Sequence, residues 1–206
     1  MSYTIDTIQY KGHTIELQQD DDAESPREWD NVGEILYTSS RYNLGDRRTT
    51  REEIEEIVKR DDVIWLPVYA YIHSGTRLNT TSFHCPWDSG QCGIIWCTKE
   101  RAVKECGKTR CTKKVIAQVE KYMAGEVETL DQFFNGEVVG YVVEGPLCND
   151  SCGGFFPDAG EYSKRYDYAI SEAKANIDYA RKQRAAELKA ERLEKRLAKE
   201  QHLALI

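Results

Sequence analysis

Two turns of the sequence each pair a tryptophan with an aspartate, at Trp29-Asp30 and at Trp87-Asp88. Indole rings make apolar walls and carboxylates accept hydrogen bonds, so the two turns would form one ligand pocket if the fold brought them together. A histidine and a serine follow the most apolar run of the chain, at a strand end where a functional histidine is often found. The predicted ligand-binding or partner-binding residues are Trp29, Asp30, Asn31, His73, Ser74, Trp87, Asp88 and Ser89.

The same residues include the types that nucleophilic catalysis requires. His73 is a candidate base and Asp88 a candidate orienting carboxylate, while Ser74, Ser89 and Cys85 are candidate nucleophiles. No recognised spacing links them, because the chain has no G-x-S-x-G, P-loop, G-x-G-x-x-G or H-E-x-x-H motif. The sequence therefore predicts no catalytic residue. The segment around Asp88 is equally typical of a turn in which the aspartate bonds its own backbone.

The chain has seven cysteines, and an odd number without other signs of secretion favours reduced thiols over a disulfide framework. Cys92 and Cys97 lie five apart on a predicted strand, so we expect them to point to opposite faces. Two other pairs have spacings that suit structural zinc, and ordinary reduced thiols are the alternative. Apart from such a zinc ion, no cofactor is expected. The predicted metal ligands are Cys106, Cys111, Cys148 and Cys152.

The net charge of −7 is unevenly distributed along the chain. Residues 1–62 hold 16 acidic and 8 basic side chains, whereas residues 161–206 hold 8 acidic and 11 basic ones. Phosphates would be repelled by the acidic front half, so nucleic acid is an unlikely partner there and a basic protein is a better one. The sequence has no run of about 20 apolar residues and no signal-peptide pattern at its start, which predicts a cytoplasmic protein without membrane association.

The periodicity of apolar residues predicts an α+β fold, with a mainly antiparallel sheet, helices on one side and a long C-terminal helix. The most apolar run, at 63–72, is expected to be the central strand, and the helix after residue 112 to be interrupted near Gly125. The predicted domains are residues 1–160, and 161–206 as the long helix. The predicted strands are a hairpin over 3–20 and the segments 33–38, 63–72, 77–83, 91–98 and 136–144, and the predicted helices are 49–59, 99–105, 112–134 and the terminal helix from residue 162.

The terminal helix divides into two parts by composition. Its first part places Tyr166, Ile170, Ala173, Ile177 and Ala180 at helical spacing, which predicts a face packed on the domain. Its second part, after residue 181, is almost entirely Ala, Leu, Glu, Lys, Arg and Gln. That composition is typical of a solvated extension, and it also suits self-association in a short coiled coil or a partner-binding helix.

Six segments with specific residues follow one another along the chain. They are Trp29-Asp30-Asn31-x-Gly33, Arg41-Tyr42-Asn43-Leu44-Gly45-Asp46, His73-Ser74-Gly75, Cys85-Pro86-Trp87-Asp88-Ser89-Gly90-Gln91-x-Gly93, Gly136-Glu137-Val138-Val139-Gly140-Tyr141 and Asp150-Ser151-Cys152-Gly153-Gly154-Phe155. In this order they resemble a family of small uncharacterised proteins from bacteriophages, prophages and other mobile elements. The Pro-Trp-Asp-Ser-Gly segment at 86–90 is the most specific of them, and the resemblance runs from about residue 8 to about residue 175. It implies a mobile-element origin in a bacterial host cell and carries no assigned activity.

Proteins of mobile elements often act by binding a host or defence component, and nucleic-acid-binding host targets are basic. We therefore expect a non-enzymatic interaction protein, for example an inhibitor of a host nuclease or defence complex, that binds its partner through the acidic front half and the Trp-Asp turns. The alternative is an enzyme or small-ligand-binding protein that uses one pocket lined by both Trp-Asp turns and His73.

Overall fold

A computed structural model describes residues 3–85, 87–158 and 164–204 and has the predicted α+β fold with antiparallel sheets and a long C-terminal helix. The chain forms two compact units. Unit 1 comprises Met1–Asp21 and Val138–Ile206, and unit 2 comprises Asp22–Glu137. Unit 2 is therefore inserted between two strands of unit 1, a division that the sequence does not indicate. The proposed domain boundary at residue 160 stays a prediction.

Unit 1 contains a four-stranded antiparallel sheet in the order β1-β2-β8-β9. The first two strands form the predicted hairpin, in which Lys11 and Gly12 have φ of 49° and 82°. Positive φ at both turn positions matches the twist of the two strands, which is why a glycine serves there. The strands are β1 (Thr4–Tyr10), β2 (His13–Gln19), β8 (Val139–Glu144) and β9 (Asp150–Phe155).

Helix α4 (Asp167–Ala204) covers this sheet with its first half. Ala169, Ala173 and Ile177 are buried against Ile15 and Tyr141 of the strands, so the predicted packing face is present. The predicted helix start at residue 162 lies outside the described residues. From residue 181 to residue 200 the side chains are exposed. No helix in the described part of the chain combines the length and apolarity that crossing a membrane requires.

Unit 2 contains a five-stranded sheet in the order β4-β3-β7-β5-β6. Its pairs are antiparallel except that of β3 with β4. The sequence interpretation that placed 63–72 at the centre is wrong, because β7 occupies that position and buries Ile94 and Ile95 on its two faces. The strands are β3 (Glu34–Tyr37), β4 (Arg47–Arg48), β5 (Val63–Ile72), β6 (Thr76–Asn79) and β7 (Ser89–Thr98).

Helices cover both faces of this sheet, so the prediction of helices on one side is wrong for unit 2. α1 (Arg51–Val58) packs on Leu36 and Ile94, whereas α3 (Lys113–Phe134) packs on the face that carries Ile35 and Ile95. α2 (Lys99–Glu105) follows β7 directly. The predicted interruption near Gly125 is wrong: α3 is continuous, because its buried stripe continues on both sides of the glycine and offsets the roughly 1 kcal/mol that glycine costs a helix.

Candidate functional site

The two Trp-Asp turns lie at opposite ends of the unit 2 sheet. Glu34, which follows the Trp29 turn, pairs with Trp96 of β7, whereas Ser89 at the other end of β7 pairs with Tyr71. Seven residues of strand separate the two pairs, a distance of about 23 Å. Among the described residues, the predicted single pocket lined by both turns and His73 is therefore not formed, and each turn has to be considered as its own site.

The Trp29 loop, defined as residues 25–33, is held by an arginine. The Arg27 side chain is 9% exposed and donates to Asp46 Oδ1 and Oδ2 at 2.8 and 2.6 Å and to Glu126 Oε2 at 3.1 Å. Its fourth bond goes to the Gly33 carbonyl at 2.6 Å. Burial alone would lower the pKa of Arg27, but the two carboxylates outweigh it and the pKa is raised. The buried guanidinium therefore stays charged and ties the loop to helix α3.

The backbone of the Trp29 loop is bonded as well. The Asn31 side chain donates to the carbonyls of Pro26 and Trp29 at 2.8 and 2.9 Å, which closes the turn. The Val32 N–H donates to Glu126 Oε1 at 2.7 Å. Asn31, one of the predicted binding residues, thus has a structural role here. A loop with this many internal bonds has little conformational freedom left to lose when it binds a partner.

The rigid loop presents an aromatic ring and a carboxylate outward. Trp29 is 46% exposed, and the side chain of Asp30 is 95% exposed with one oxygen 3.7 Å from Arg101 Nη2. With Tyr122 of α3, which is 44% exposed, they border a groove of about 500 Å³. We call it the Trp29 groove; its lining also includes the carboxylates of Glu105 and Glu126.

The sequence interpretation missed Arg27, Tyr122 and Glu126. Arg27 stands two residues before Trp29, but only its buried partners identify it as the anchor. Tyr122 and Glu126 lie on α3, about a hundred residues further along the chain, in a pattern typical of an amphipathic helix. No local signal identifies them, because their role depends on the packing of α3 beside the loop.

At the other end of the sheet, the structure brings His73 and Asp88 together. Their side chains approach to 3.4 Å between Nδ1 and Oδ2, and both are exposed to solvent, by 66% and 40%. The His73 ring stacks beside Tyr71 with 6.4 Å between the ring centroids. The Ile72 N–H donates to the Asp88 carbonyl at 2.9 Å, which joins the end of β5 to this turn.

The candidate nucleophiles of this end are not aligned with His73. The Ser89 hydroxyl donates to the carbonyl of Cys85, and the Cys85 thiol lies 4.0 Å from Asp88 Oδ2. Ser74 is exposed on the turn between β5 and β6. Trp87 is 91% exposed, so its indole has almost no support from the protein. Among the described residues, this turn, which we call the Trp87 loop (residues 84–89), presents an isolated ring and an exposed carboxylate beside His73.

The cysteines are distributed differently from the prediction. A bulge places Gln91 and Gly93 opposite the adjacent residues Tyr69 and Val68, which turns the extra residue Cys92 toward the same core as Cys97. The expectation of opposite faces is therefore wrong. Burial raises the pKa of Cys92 to about 12 and that of Cys97 to about 11. Both thiols are thus protonated near neutral pH.

The predicted zinc ligands belong to different units. Cys106 and Cys111 are in unit 2, where they pack partly buried against its core, and Cys148 and Cys152 are in unit 1. In the part of the chain that the structure describes, no three His, Cys, Asp or Glu side chains are arranged as metal ligands. The geometry therefore gives the four-cysteine site no support.

No protein-family model matches the chain, and comparison with curated proteins and with solved structures likewise finds no significant match. The candidate function therefore rests on the surfaces of the protein itself.

Proposed function

We propose that this chain is a protein-interaction module whose Trp29 groove receives a basic segment of a partner protein. One observation carries the proposal: a half-exposed tryptophan and a fully presented aspartate stand on a loop that a buried ion-pair network holds in place. Tryptophan is among the residues that contribute most to protein interfaces, especially when it is fixed before binding.

The chemistry of the groove favours a cationic partner side chain. A guanidinium or ammonium placed over the Trp29 or Tyr122 ring would gain about 0.5–2 kcal/mol from the ring quadrupole. Asp30 and Glu105 supply carboxylates beside those rings. The excess of acidic side chains over residues 1–62 would also accelerate association with a basic protein at low salt.

The resemblance and the charge of the chain favour one class of partner. The resemblance to proteins of bacteriophages and mobile elements favours a host or defence protein in the cytoplasm of a bacterial cell. Proteins that bind nucleic acids carry basic surfaces, so a host nuclease or a nucleic-acid-binding defence complex fits the Trp29 groove. In that case the chain acts as an inhibitor by occupying part of the partner's phosphate-binding surface.

The two Trp-Asp turns provide a matched test by affinity capture from a bacterial host lysate, with quantification by mass spectrometry. We expect the wild type and the Trp87→Ala/Asp88→Ala variant to capture the same host protein, and the Trp29→Ala/Asp30→Ala variant to lose it. The captured protein should elute as the salt concentration rises. Binding assays with the purified partner should give similar affinities for the wild type and the Trp87→Ala/Asp88→Ala variant, and a lower affinity for the Trp29→Ala/Asp30→Ala variant. Equal capture by both double variants, each verified as folded by circular dichroism, would refute the assignment to the Trp29 groove.

A further inference from the structure

The loop and helix ends on the α3 side of unit 2 carry a concentration of positive charge that contrasts with the rest of this acidic chain. Residues 99–121 hold eight basic and three acidic side chains, a net charge of +5 in a protein whose total is −7. The acidic side chains that make nucleic acid an unlikely partner lie in residues 1–62, which do not include this segment. The local sign of the charge therefore reopens the question of an anionic ligand here.

Most of these cations have no counter-ion. Elsewhere in unit 2, Arg27, Arg47 and Arg60 each bond a carboxylate. By contrast, six exposed side chains of this segment form no ion pair with any described residue. They are Lys104, Lys108, Arg110, Lys113, Lys114 and Lys121. Unpaired like charges close together repel one another, and an anion that binds among them relieves that repulsion.

Two of the lysines occupy positions that the helix itself does not favour. Lys113 and Lys114 begin α3, whose first turn has no acidic residue, whereas α1 and α2 carry Glu52, Glu53 and Glu100 in their first turns. The helix dipole disfavours cations at this end. The stability of α3 therefore does not explain these residues.

The cations border a groove with one aromatic edge. Lys108, Arg110 and Lys114 line a concavity of about 580 Å³ between the end of α2 and the start of α3, and its lining also includes the exposed ring of Tyr122 and one carboxylate, that of Glu105. We call it the cationic groove. Lys113 and Lys121 lie eight residues apart on α3, about 12 Å along the helix, so the charge extends beyond the size of a single phosphate group.

We infer that the cationic groove binds a single-stranded nucleic acid, with backbone phosphates on Lys108, Arg110 and Lys114 and one base stacked on Tyr122. A positively charged groove with an aromatic platform is the arrangement that recognises single strands without sequence preference. Bases in a duplex are already stacked on one another and are not available to Tyr122. The cationic groove shares Tyr122 and Glu105 with the Trp29 groove, but its ligand differs, and the Trp29→Ala/Asp30→Ala variant that tests the proposed function leaves Lys108, Arg110 and Lys114 in place.

Fluorescence anisotropy with a labelled single-stranded oligothymidine of about twelve nucleotides, titrated with the full chain at several salt concentrations, tests the inference. We expect Lys108→Gln/Arg110→Gln/Lys114→Gln to lower the affinity about tenfold or more, and to reduce the slope of log affinity against log salt by about 2, because three phosphate contacts are lost. The matched control is Lys182→Gln/Lys189→Gln/Lys195→Gln on α4, which removes the same charge and should leave affinity and slope close to wild type.

The role of Tyr122 separates nucleic acid from other polyanions. Tyr122→Phe should keep the affinity, whereas Tyr122→Ala should lower it about five- to hundredfold through lost base stacking. The inference is overturned if the two triple variants weaken binding equally, if Tyr122→Ala binds like the wild type, or if polyglutamate or a duplex of equal charge competes as well as the single strand. Absence of salt-sensitive binding by the folded wild type would overturn it as well.

Discussion

The Trp29 and Trp87 loops carry the same dipeptide in the same unit, yet the protein supports them in opposite ways. Trp29 stands on a loop whose arginine, asparagine and backbone are all bonded to buried groups, and Trp87 stands on a turn that leaves its ring 91% exposed. A tryptophan beside an aspartate therefore indicates a binding site only when the surrounding structure fixes the loop that carries both side chains.

Binding by a fixed ring requires little ordering, whereas a freely exposed ring has to be immobilised when a partner arrives. The bonds that support each loop are therefore the points at which this comparison can be tested. Substitutions should change the free energy of unfolding most at Arg27, which anchors the Trp29 loop, and least at Asp88 of the Trp87 loop.

Substitution Arg27→Ala should have the largest effect. It would leave Asp46 and Glu126 with side chains 22% and 13% exposed and without their shared cation. Removing one partner of a buried ion pair typically destabilises a protein by about 3–5 kcal/mol. Urea denaturation followed by circular dichroism measures the loss. The control is Arg60→Ala, which breaks the exposed pair with Asp62 and should cost far less, because solvent screens that pair. Equal losses would mean that Arg27 is no anchor.

A pair of glycines gives the next largest effect. At Gly33, which ends the Trp29 loop, an added Cβ would lie 2.5 Å from Ile95 Cγ1, whereas at Gly90, just after the Trp87 loop, it would meet nothing within 4 Å. Gly33→Ala should therefore destabilise the protein by about 1–3 kcal/mol through overpacking. Gly90→Ala should be neutral or stabilising by up to about 1 kcal/mol. Thermal unfolding of the two variants measures their stabilities side by side. A larger loss of stability in Gly90→Ala than in Gly33→Ala would contradict this prediction.

The smallest effect is expected from Asp88→Asn. The contact between His73 and Asp88 is exposed, and even fully charged pairs at such positions contribute only about 0–1 kcal/mol. The backbone bond from the Ile72 N–H to the Asp88 carbonyl is unaffected by the change. We expect a change in the free energy of unfolding below about 0.5 kcal/mol by urea denaturation. A loss above 2 kcal/mol would show that the Trp87 loop is as firmly anchored as the Trp29 loop.

Local signals predicted much of the fold. The hairpin over 3–20 and the helix over 49–59 were recognised because turn and cap chemistry acts over a few residues. Strand β9 was missed, since its Ser-Cys-Gly-Gly sequence has no apolar alternation and it pairs through its backbone at the edge of the sheet. The position of β7 at the centre depends on pairing between distant strands, which periodicity along one strand does not contain.

The candidate site was predictable only in part. The residues Trp29 and Asp30 were identified by type, and the turn around them by its polar composition. Their separation from His73 and Asp88 follows from strand register, and the anchoring of Arg27 follows from carboxylates on β4's preceding loop and on α3. Those contacts join parts of the chain that are 19 and 99 residues apart, so no local pattern carries them.

The insertion of unit 2 into unit 1 has a consequence for the timing of folding. Gln19 of β2 pairs with Val139 of β8, so 119 residues are synthesised between the two partners. At typical rates of about 5–20 residues per second, the first hairpin waits roughly 6–24 s on the ribosome for its neighbour. During that interval the side chains of Ile15 and Leu17 have no β8 or α4 to cover them, while unit 2 has every strand of its own sheet and can fold first. The nascent hairpin is thus the stage of synthesis at which this chain is most exposed to aggregation and to chaperones.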